Sequence, residues 1–455
     1  MREVVGDCLS RRAAVQRLGG GFGAVALAQM LSSTTIAAPH AAPRARRVIQ
    51  LFMNGGPFGP DFFDPKPALK KYEGQRPDAV NLRTERKTAG LLASPFTFAP
   101  AGQSGVPVSE LLPRFRQCID DVCVLRSVHT DNPNHGPALQ LINNGTIVPT
   151  RPSMGSWLLY GLGVENENLP GYIVLCPGRP VRFSILWTSA FLPGEFEGTY
   201  INHADLSPQK LIPYLQPTSD TSSDVQRRQL DLWRELNGEH AATRGDDPRL
   251  TARIQAMETA FHMQTAATEA FDLQQEPDHV RAMYGSGHFA NACLLARRLA
   301  ERGVRFTQIY YGNGQPWDTH NDHHNQVRKL AADIDQPLAA LLVDLKQRGL
   351  LDETLVIWGG EFGRTPTSEN GNGRDHNHFG FTMWLAGGGV RGGITYGETD
   401  EFGFRAAERP VHIHDLHATI LHLLGIDHTR LTYRYSGRDF RLTDVAGRVL
   451  SNVVS

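Results

Sequence analysis

The 455-residue sequence predicts an α/β fold, a three-layer α/β/α domain built on a mostly parallel sheet and carrying a helical insertion. Short apolar segments typical of buried strands alternate with longer amphipathic patterns typical of helices. The composition is that of a globular chain, because 40% of residues are apolar and 20% are charged. No run of 18 apolar residues occurs, so we expect no transmembrane helix in the mature chain.

The first 42 residues have the features of an export signal. A basic region with paired Arg11 and Arg12 precedes a weakly apolar, glycine-rich stretch at 19–31, and small residues cluster at 37–42. This arrangement resembles a twin-arginine signal, and the alternative is an ordinary basic amphipathic helix. We therefore predict a twin-arginine-type export signal at residues 1–42, a location in the periplasm or cell envelope, and one domain over 43–455.

The predicted sheet and its covering helices follow in chain order. The five apolar segments predicted as strands are residues 48–53, 122–125, 306–310, 354–358 and 381–386. Residues 325–348 place leucine and isoleucine at helical spacing before a glycine, which predicts an amphipathic helix. The polar segment at about 217–284 carries no strand signal. We interpret it as a helical insertion, because strands on both sides of it are needed for one sheet.

Histidine is the unusual residue of this composition. There are 18 histidines, and ten of them lie between His320 and His428. The formal net charge is −1, so the chain has no basic field and nucleic acid is not an expected partner. The sequence contains neither a Gly-x-Ser-x-Gly nucleophile elbow nor a Walker-type phosphate loop. Histidine chemistry is therefore the main indication of function.

Polar residues follow the ends of the predicted strands, where ligands bind in open parallel sheets. Asp318 and His320 come after the third strand, and either His323 or His324 is a third candidate. Imidazole and carboxylate groups this close in sequence are suited to divalent metals. The alternative is a solvated loop before the helix.

Two further candidates flank the fourth and fifth strands. Glu361 ends the fourth strand, where a buried carboxylate needs a partner such as a metal or Arg364. His376 lies just before the fifth strand, and Asp375 can orient it. A plain salt bridge between Glu361 and Arg364 is the alternative for the first of these.

The last group of histidines favours a structural interpretation. His412, His414 and His417 surround Asp415. Asp415 can cap a helix over residues 416–424, because aspartate is a preferred residue at a helix N-terminus. We expect these histidines to belong to that helix and its neighbouring turn.

Six short motifs spread over nearly the whole mature chain carry a family resemblance. They are Gly55-Gly56-Pro57, Phe63-Asp64-Pro65-Lys66-Pro67, Arg151 to Trp157, Trp317-Asp318-Thr319-His320, Gly360 to Pro366, and Gly373-Arg374-Asp375-His376. Together they resemble an exported family catalogued as domain of unknown function 1501. That family lies in the sulfatase-like branch of the alkaline phosphatase superfamily, which implies an alkaline phosphatase/sulfatase-like fold for residues 43–455.

The resemblance implies an exported metal-dependent hydrolase of an anionic ester, either phosphate or sulfate. Its expected substrate is a small anionic ester or a sulfated or phosphorylated glycan. Superfamily members hold one or two divalent metals, and Zn, Ca, Mg and Mn all remain open here. The candidate ligands, taken from the motifs and from the histidine cluster, are Asp61, Asp318, His320, His324, Glu361 and His376.

Two residues depart from the superfamily pattern. Asn132 stands at the nucleophile position in the run from Thr130 to Asn132, and Phe362 stands where a histidine ligand is expected. An amide cannot attack phosphorus or sulfur, so Thr130 or a metal-bound water is the candidate nucleophile. Arg364 or His129 is the candidate for stabilising developing charge.

The same departures define the rival interpretations. No Cys-x-Pro-x-Arg motif occurs at the nucleophile position, so a formylglycine sulfatase is not expected. A non-catalytic binding module on the same scaffold, holding a carbohydrate or a cell-envelope partner, is the alternative function. Asn132 and Phe362 motivate it, because each replaces a reactive or ligating residue.

Overall fold

The structure, a computed structural model, describes residues 39–202, 223–244 and 269–455. Residues 1–38 of the predicted export signal lie outside the described residues. The predicted insertion at 217–284 is described only at 223–244 and 269–284. Among the helices that are described, none has the length and apolar character needed to cross a bilayer.

The elements alternate along the chain in the way an α/β fold requires. The strands are β1 Arg47–Phe52, β2 Phe98–Ala101, β3 Val106–Ser109, β4 Val122–His129, β5 Tyr172–Leu175, β6 Thr199–Ile201, β7 Phe306–Tyr310, β8 Thr354–Gly359, β9 Gly363–Glu369, β10 Gly373–Asn377, β11 Phe381–Ala386, β12 Ile394–Tyr396, β13 Glu398–Thr399, β14 Ala406–Glu408, β15 Val411–His412, β16 Tyr433–Tyr435 and β17 Arg438–Phe440. The helices are α1 Pro67–Lys71, α2 His135–Asn144, α3 Met154–Leu162, α4 Ser223–Arg244, α5 Asp278–Tyr284, α6 His288–Glu301, α7 His323–Gln347 and α8 Ile413–Leu423.

The main sheet has nine strands, in the order β12-β4-β11-β8-β1-β7-β5-β6, and β15 also pairs with β4. The central strand β1 pairs in parallel with β7 and β8. Among the described strands of this sheet, β11 alone runs antiparallel to its neighbours. The predicted mostly parallel sheet is confirmed. Because β11 is reversed, its first residues lie at the same edge as the carboxyl ends of the parallel strands.

The sheet is covered on both faces, which confirms the three layers. Alternate residues of β1 face opposite sides: Ile49 and Leu51 belong to one apolar cluster, and Val48 and Phe52 belong to another. Helices α6 and α7 contribute to the first cluster, whereas α2, α3 and α8 contribute to the second. Burial of these alternating side chains fixes the register of the strand, because a shift of one residue would reverse them.

The predicted start and the predicted capping residue of the helix at 416–424 both differ from the structure. Helix α8 begins at Ile413, three residues before the predicted start, and the side chain of His412 caps it by accepting a hydrogen bond from the His414 N–H at 3.1 Å. Asp415 is the third helical residue, where its carboxylate accepts from the His412 N–H at 3.3 Å. The two side chains satisfy each other's backbone donors, so Asp415 completes the cap without being the capping residue itself.

The antiparallel pair β9 and β10 forms a hairpin outside the main sheet. Its sequence is charged and polar, so no alternating apolar pattern announces it. Every residue of both strands is nevertheless buried. This hairpin follows β8 directly and forms one wall of the candidate site.

Candidate metal centre

Side chains from four parts of the fold meet at the carboxyl edge of the main sheet. His135 is the first residue of α2, Asp318 and His320 lie in the loop between β7 and α7, Glu361 follows β8, and His376 lies in β10. We call these five residues the histidine–carboxylate cluster. The structure thus brings together four residues that the sequence singled out, and it adds His135.

The turn after β1 lets the chain approach this cluster closely. Gly55 has a φ of +116°, and a Cβ atom at this position would lie 2.4 Å from the backbone nitrogen of Asp318. A side chain is therefore excluded there on both conformational and steric grounds. The Gly55 N–H donates to both carboxylate oxygens of Glu361, at 3.0 and 3.1 Å.

Three potential metal-binding atoms converge within the cluster. Oδ1 of Asp318 lies 2.9 Å from Nε2 of His320 and 3.1 Å from Nε2 of His376, and the two Nε2 atoms are 3.2 Å apart. Nδ1 of His376 lies 2.8 Å from the carbonyl oxygen of Pro133, which can only accept, so this nitrogen carries the proton. Nδ1 of His320 lies 2.5 Å from Oε2 of Glu369. When both histidines are neutral, their Nε2 lone pairs therefore face Asp318. The same arrangement occurs in metal sites, where a carbonyl or carboxylate oxygen accepts a hydrogen bond from the ring nitrogen that does not bind the metal.

His135 extends the cluster on the other side of Asp318. Its Nδ1 lies 2.7 Å from Oε1 of the fully buried Glu361, and its Nε2 lies 3.3 Å from Oδ2 of Asp318. Two groups of three residues have ligand atoms within 4.8 Å of one another: His135, Asp318 and His376, and then His320, Asp375 and His376. His376 is common to both groups.

The charges of the cluster are strongly coupled. Burial raises the pKa of Asp318, but the imidazoles of His135, His320 and His376 outweigh it and hold that pKa well below its usual range. Burial lowers the pKa of His376 to about 3. Burial also lowers the pKa of His320, but the carboxylates of Asp318 and Glu369 overcome this and raise it. A cation at this point is therefore favoured, whether it is a proton on His320 or a metal ion.

Arg364 lies behind the cluster and has its polar atoms engaged. Its guanidinium donates to the carbonyl oxygen of Gly56 at 3.1 Å and to Oδ1 of Asp318 at 2.5 Å, and it also contacts the carbonyl of Gly55. The side chain is buried. Arg364 thus holds the turn after β1 and one oxygen of Asp318.

Phe362 fills the space beside the imidazoles. Its ring centroid lies 4.8 Å from that of His135 and 4.6 Å from that of His376, against which it stacks. The position at which the superfamily pattern expects a ligand therefore packs the two histidines instead. The ring keeps this side of the cluster apolar.

Asp61 and His324 lie outside the histidine–carboxylate cluster. Asp61 is fully buried, and its Oδ2 lies 2.8 Å from Nε2 of His323. His324 packs edge-on against Phe96, with 6.1 Å between ring centroids. Within the described residues no hydrogen bond, ion pair or ring contact joins either of them to the histidine–carboxylate cluster.

Thr130, the candidate nucleophile, and His129, a candidate for stabilising developing charge, lie at the end of β4. Thr130 is buried, and its N–H donates to the carbonyl oxygen of His378 at 3.0 Å. His129 lies beside His412, with 5.2 Å between ring centroids, and burial lowers its pKa. Asn132 accepts from the Asn134 N–H at 2.9 Å and so shapes the turn that leads into α2. Neither Thr130 nor His129 contacts the cluster in the part of the chain that is described.

Three residues of the site, His135, Glu369 and Glu85, were not predicted from the sequence. His135 had one usable cue, because it follows a polar strand end and opens a helix at the same sheet edge. Glu369 and Glu85 had none. Glu369 lies in the unpredicted hairpin, and Glu85 lies in a long loop from which its carboxylate contacts Nδ1 of His376.

The donor set fits a borderline divalent metal. Imidazole nitrogens together with carboxylate oxygens suit Zn²⁺ or Mn²⁺, whereas Ca²⁺ takes six to eight oxygen ligands. The buried Oδ1 atom of Asp375 has no hydrogen-bond partner among the described residues, which leaves one more oxygen available beside His376. The residues present therefore match the metal that the fold implies.

Comparisons with known proteins agree with the sequence-based family prediction. Residues 45–454 match the family described as "Protein of unknown function (DUF1501)". A comparison with curated proteins finds no match.

Several solved structures show distant similarity to this chain. A sulfatase from Pseudoalteromonas sp. is 12% identical, with 89% of this chain and 71% of that chain covered and a TM-score of 0.35. The lipoteichoic acid synthase from Listeria monocytogenes is 9% identical, with coverage of 91% and 80% and a TM-score of 0.38. The phosphonate monoester hydrolase from Silicibacter pomeroyi is 13% identical, with coverage of 75% and 71% and a TM-score of 0.34. Because the family match spans nearly the whole domain, the chain belongs to the DUF1501 family.

Proposed function

We propose that this protein is an exported, metal-dependent hydrolase of an anionic ester, phosphate or sulfate. The observation that carries the proposal is the convergence of Nε2 of His320, Nε2 of His376 and Oδ1 of Asp318 within 3.2 Å of one another. Such lone pairs repel one another unless a cation lies among them. A buried cation at the carboxyl edge of an α/β sheet lies where such folds bind their ligands.

Asp318, His320 and His376 would hold the metal, with His135 or Asp375 completing the set. A bound divalent ion supplies Lewis acidity, which favours attack on an anionic ester and stabilises the charge that develops on its oxygens. Buried carboxylates fix the histidine ligands through the ring nitrogens that do not face the metal position. Glu361 fixes His135, and Glu369 fixes His320.

Water is the nucleophile that the geometry supports best. Within the described residues, no hydroxyl or thiol side chain makes a hydrogen bond, ion pair or ring contact with the histidine–carboxylate cluster. Thr130 and its neighbour Asn132 serve the turn between β4 and α2. Direct attack by water needs no covalent intermediate, so the absence of a serine at position 132 does not exclude hydrolysis.

Glu85 is the carboxylate best placed to transfer a proton. Glu361 and Glu369 are at most 4% exposed and are held by Gly55, His135 and His320, whereas the side chain of Glu85 is 31% exposed. Burial and the nearby charge of Asp375 raise the pKa of Glu85, although Arg86, His135 and His320 act in the opposite direction. We assign to its Oε2 the exchange of a proton between the site and solvent.

A non-catalytic binding module on this scaffold is the second candidate. The packing of Phe362 between His135 and His376 favours it, because that ring takes a position expected to bind a metal. The two functions differ in turnover. A binding module would hold a carbohydrate or a cell-envelope partner without consuming any ester.

The test is a metal analysis of the purified protein combined with a panel of nitrophenyl phosphate, phosphonate and sulfate esters. His376→Ala should abolish both metal content and turnover. His414→Ala is the matched control, because the His414 side chain donates to the carbonyl oxygen of Gly145 at 2.7 Å and lies outside the cluster. Protein that stays metal-free in Zn²⁺ or Mn²⁺ would refute the proposal. Metal binding without turnover of any ester would favour the binding module.

A further inference from the structure

A buried chain of hydrogen bonds lies directly beneath the loop that carries Asp318 and His320. Oγ1 of Thr319 lies 2.6 Å from Nδ1 of His323, and Nε2 of His323 lies 2.8 Å from Oδ2 of Asp61. All three side chains are at most 1% exposed. The chain links the end of the loop after β1, the loop after β7 and the first turn of α7.

The protonation states of Asp61 and His323 determine which atom donates in each of these hydrogen bonds. The pKa of Asp61 is lowered, since hydrogen bonding and charge from His323 outweigh burial, so its carboxylate accepts a hydrogen bond from Nε2 of His323. Burial lowers the pKa of His323 to about 4, which keeps the ring neutral with its one proton on Nε2. Nδ1 then carries a lone pair, and the Thr319 hydroxyl donates to it.

Hydroxyl, imidazole and carboxylate in this order are also the parts of a nucleophilic triad, but the geometry does not support that role. The Thr319 hydroxyl faces His323 in the protein interior, whereas Asp318 and His320 on either side of it belong to the histidine–carboxylate cluster. A substrate bound at the cluster would not reach the hydroxyl. The hydrogen-bond chain therefore acts on the backbone of the loop.

The backbone contacts of the same loop agree with a positioning role. The carbonyl oxygen of Thr319 accepts from the Arg374 N–H at 3.1 Å, and the His323 N–H donates to the carbonyl oxygen of Asn372 at 3.0 Å. A Cβ atom at Gly373 would lie 1.8 Å from the carbonyl oxygen of His320, so the hairpin β9–β10 packs directly against the loop. Residues 318–320 lie in no helix or strand, and apart from local hydrogen bonds of their own N–H groups, these contacts hold the loop against the hairpin.

We propose that Thr319, His323 and Asp61 form a positioning relay that presets residues 318–320, so that Asp318 and His320 both face His376. The inference rests on the proposed metal-dependent function, because the relay is proposed to preset the loop for metal binding. Asp61 then contributes to the site through His323 and Thr319. Outer hydrogen-bond partners of this kind change metal affinity by about 10-fold to 100-fold.

The test compares Thr319→Val with Thr319→Ser in the full chain. Valine keeps the shape of threonine without the hydroxyl, and serine keeps the hydroxyl. Thr443→Val is the matched control, because Thr443 is also fully buried and its Oγ1 lies 2.9 Å from Nδ1 of another histidine, His428, outside the cluster. Two quantities are measured: the affinity for Zn²⁺, and backbone hydrogen exchange of residues 317–323 in the metal-free protein.

Thr319→Val should weaken Zn²⁺ binding about 10-fold to 100-fold and speed exchange in 317–323, whereas Thr319→Ser should restore both. Thr443→Val should change neither. Equal exchange in Thr319→Val and Thr443→Val would overturn the relay, as would faster exchange without any loss of affinity. If Thr319→Val does not fold, Asp61→Asn keeps the shape of the carboxylate and should shift both quantities in the same direction.

Failure of the proposed metal-dependent function gives a different experimental result from failure of the relay. If the unaltered protein binds neither Zn²⁺ nor Mn²⁺, the metal-dependent function and the purpose assigned to the relay both fall. The exchange measurement on metal-free protein still decides whether Thr319 orders the loop. The two failures are therefore distinguishable.

Discussion

His376 is shared by both three-residue groups, and this predicts how many ions the protein binds. Its Nδ1 is engaged by the carbonyl oxygen of Pro133, so Nε2 alone faces the cluster. One nitrogen lone pair binds one ion. We therefore expect one divalent ion per chain, with His376 among its ligands.

Replacing single ligands tests the count of one ion per chain. His376→Ala removes a member of both groups and should leave no bound ion. His135→Ala leaves His320, Asp375 and His376, whereas Asp375→Asn leaves His135, Asp318 and His376. Each of these two variants should therefore still bind one ion, with reduced affinity.

The stabilisation that the ion provides can be calculated. At a free metal concentration 100 times Kd, binding to the native state adds about 2.7 kcal/mol. An unfolding entropy of about 2.1 cal/mol/K per residue over about 400 residues gives about 0.8 kcal/mol/K, so Tm should rise by about 3 °C. Elemental analysis and thermal melts with and without added Zn²⁺ measure both quantities. Two ions in the unaltered protein, or an unchanged metal-induced rise in Tm for His376→Ala, would refute the reasoning.

Three other changes give separate tests. Glu85→Gln should slow hydrolysis of alkyl esters about tenfold or more and nitrophenyl esters less, because a poor leaving group depends most on proton transfer; equal effects on both in steady-state assays would contradict this role. Burial lowers the pKa of His417 to about 3, so unfolding takes up a proton below about pH 6.5 and stability falls as pH drops from there towards 3. Between pH 7 and 5, the free energy of unfolding should fall by about 2 kcal/mol less in His417→Gln than in the unaltered protein, as measured by urea unfolding. Equal falls in the two proteins would contradict the assignment of this effect to His417. Replacing both Arg11 and Arg12 with lysine should keep the protein in the cytoplasm in cell fractionation, and unchanged export would exclude the twin-arginine route.

The sequence predicted five of the nine strands of the main sheet, because these five are short apolar segments; β5, β6, β12 and β15 were not predicted. Strands β7 and β11 have the predicted bounds. β4 continues to His129, beyond its apolar residues, because β11 and β15 pair with its second half. The hairpin β9–β10 was not foreseen, since its buried residues are polar and are satisfied by one another and by the neighbouring loops.

The candidate site was foreseen only where residues follow strand ends. Asp318, His320, Glu361 and His376 meet for that reason. Asp61 follows β1 just as Glu361 follows β8, but the short 3-10 helix Gly59–Asp61 carries it to His323 instead. No pattern in one sequence specifies that turn, because its conformation depends on distant residues that pack around it.

The charges around the cluster are consistent with a single ion. Four carboxylates of low exposure surround the imidazoles: Asp318, Glu361, Glu369 and Asp375. Arg364 pairs with the first of them and Arg86 with the third. With neutral histidines, two negative charges remain uncompensated in a largely buried site, and burial of unpaired charge is strongly unfavourable. One divalent cation balances them, which is the number that the shared His376 also predicts. In its absence, protons on His135 and His320 would balance them, because burial lowers the pKa of each but the neighbouring carboxylates outweigh it and raise both.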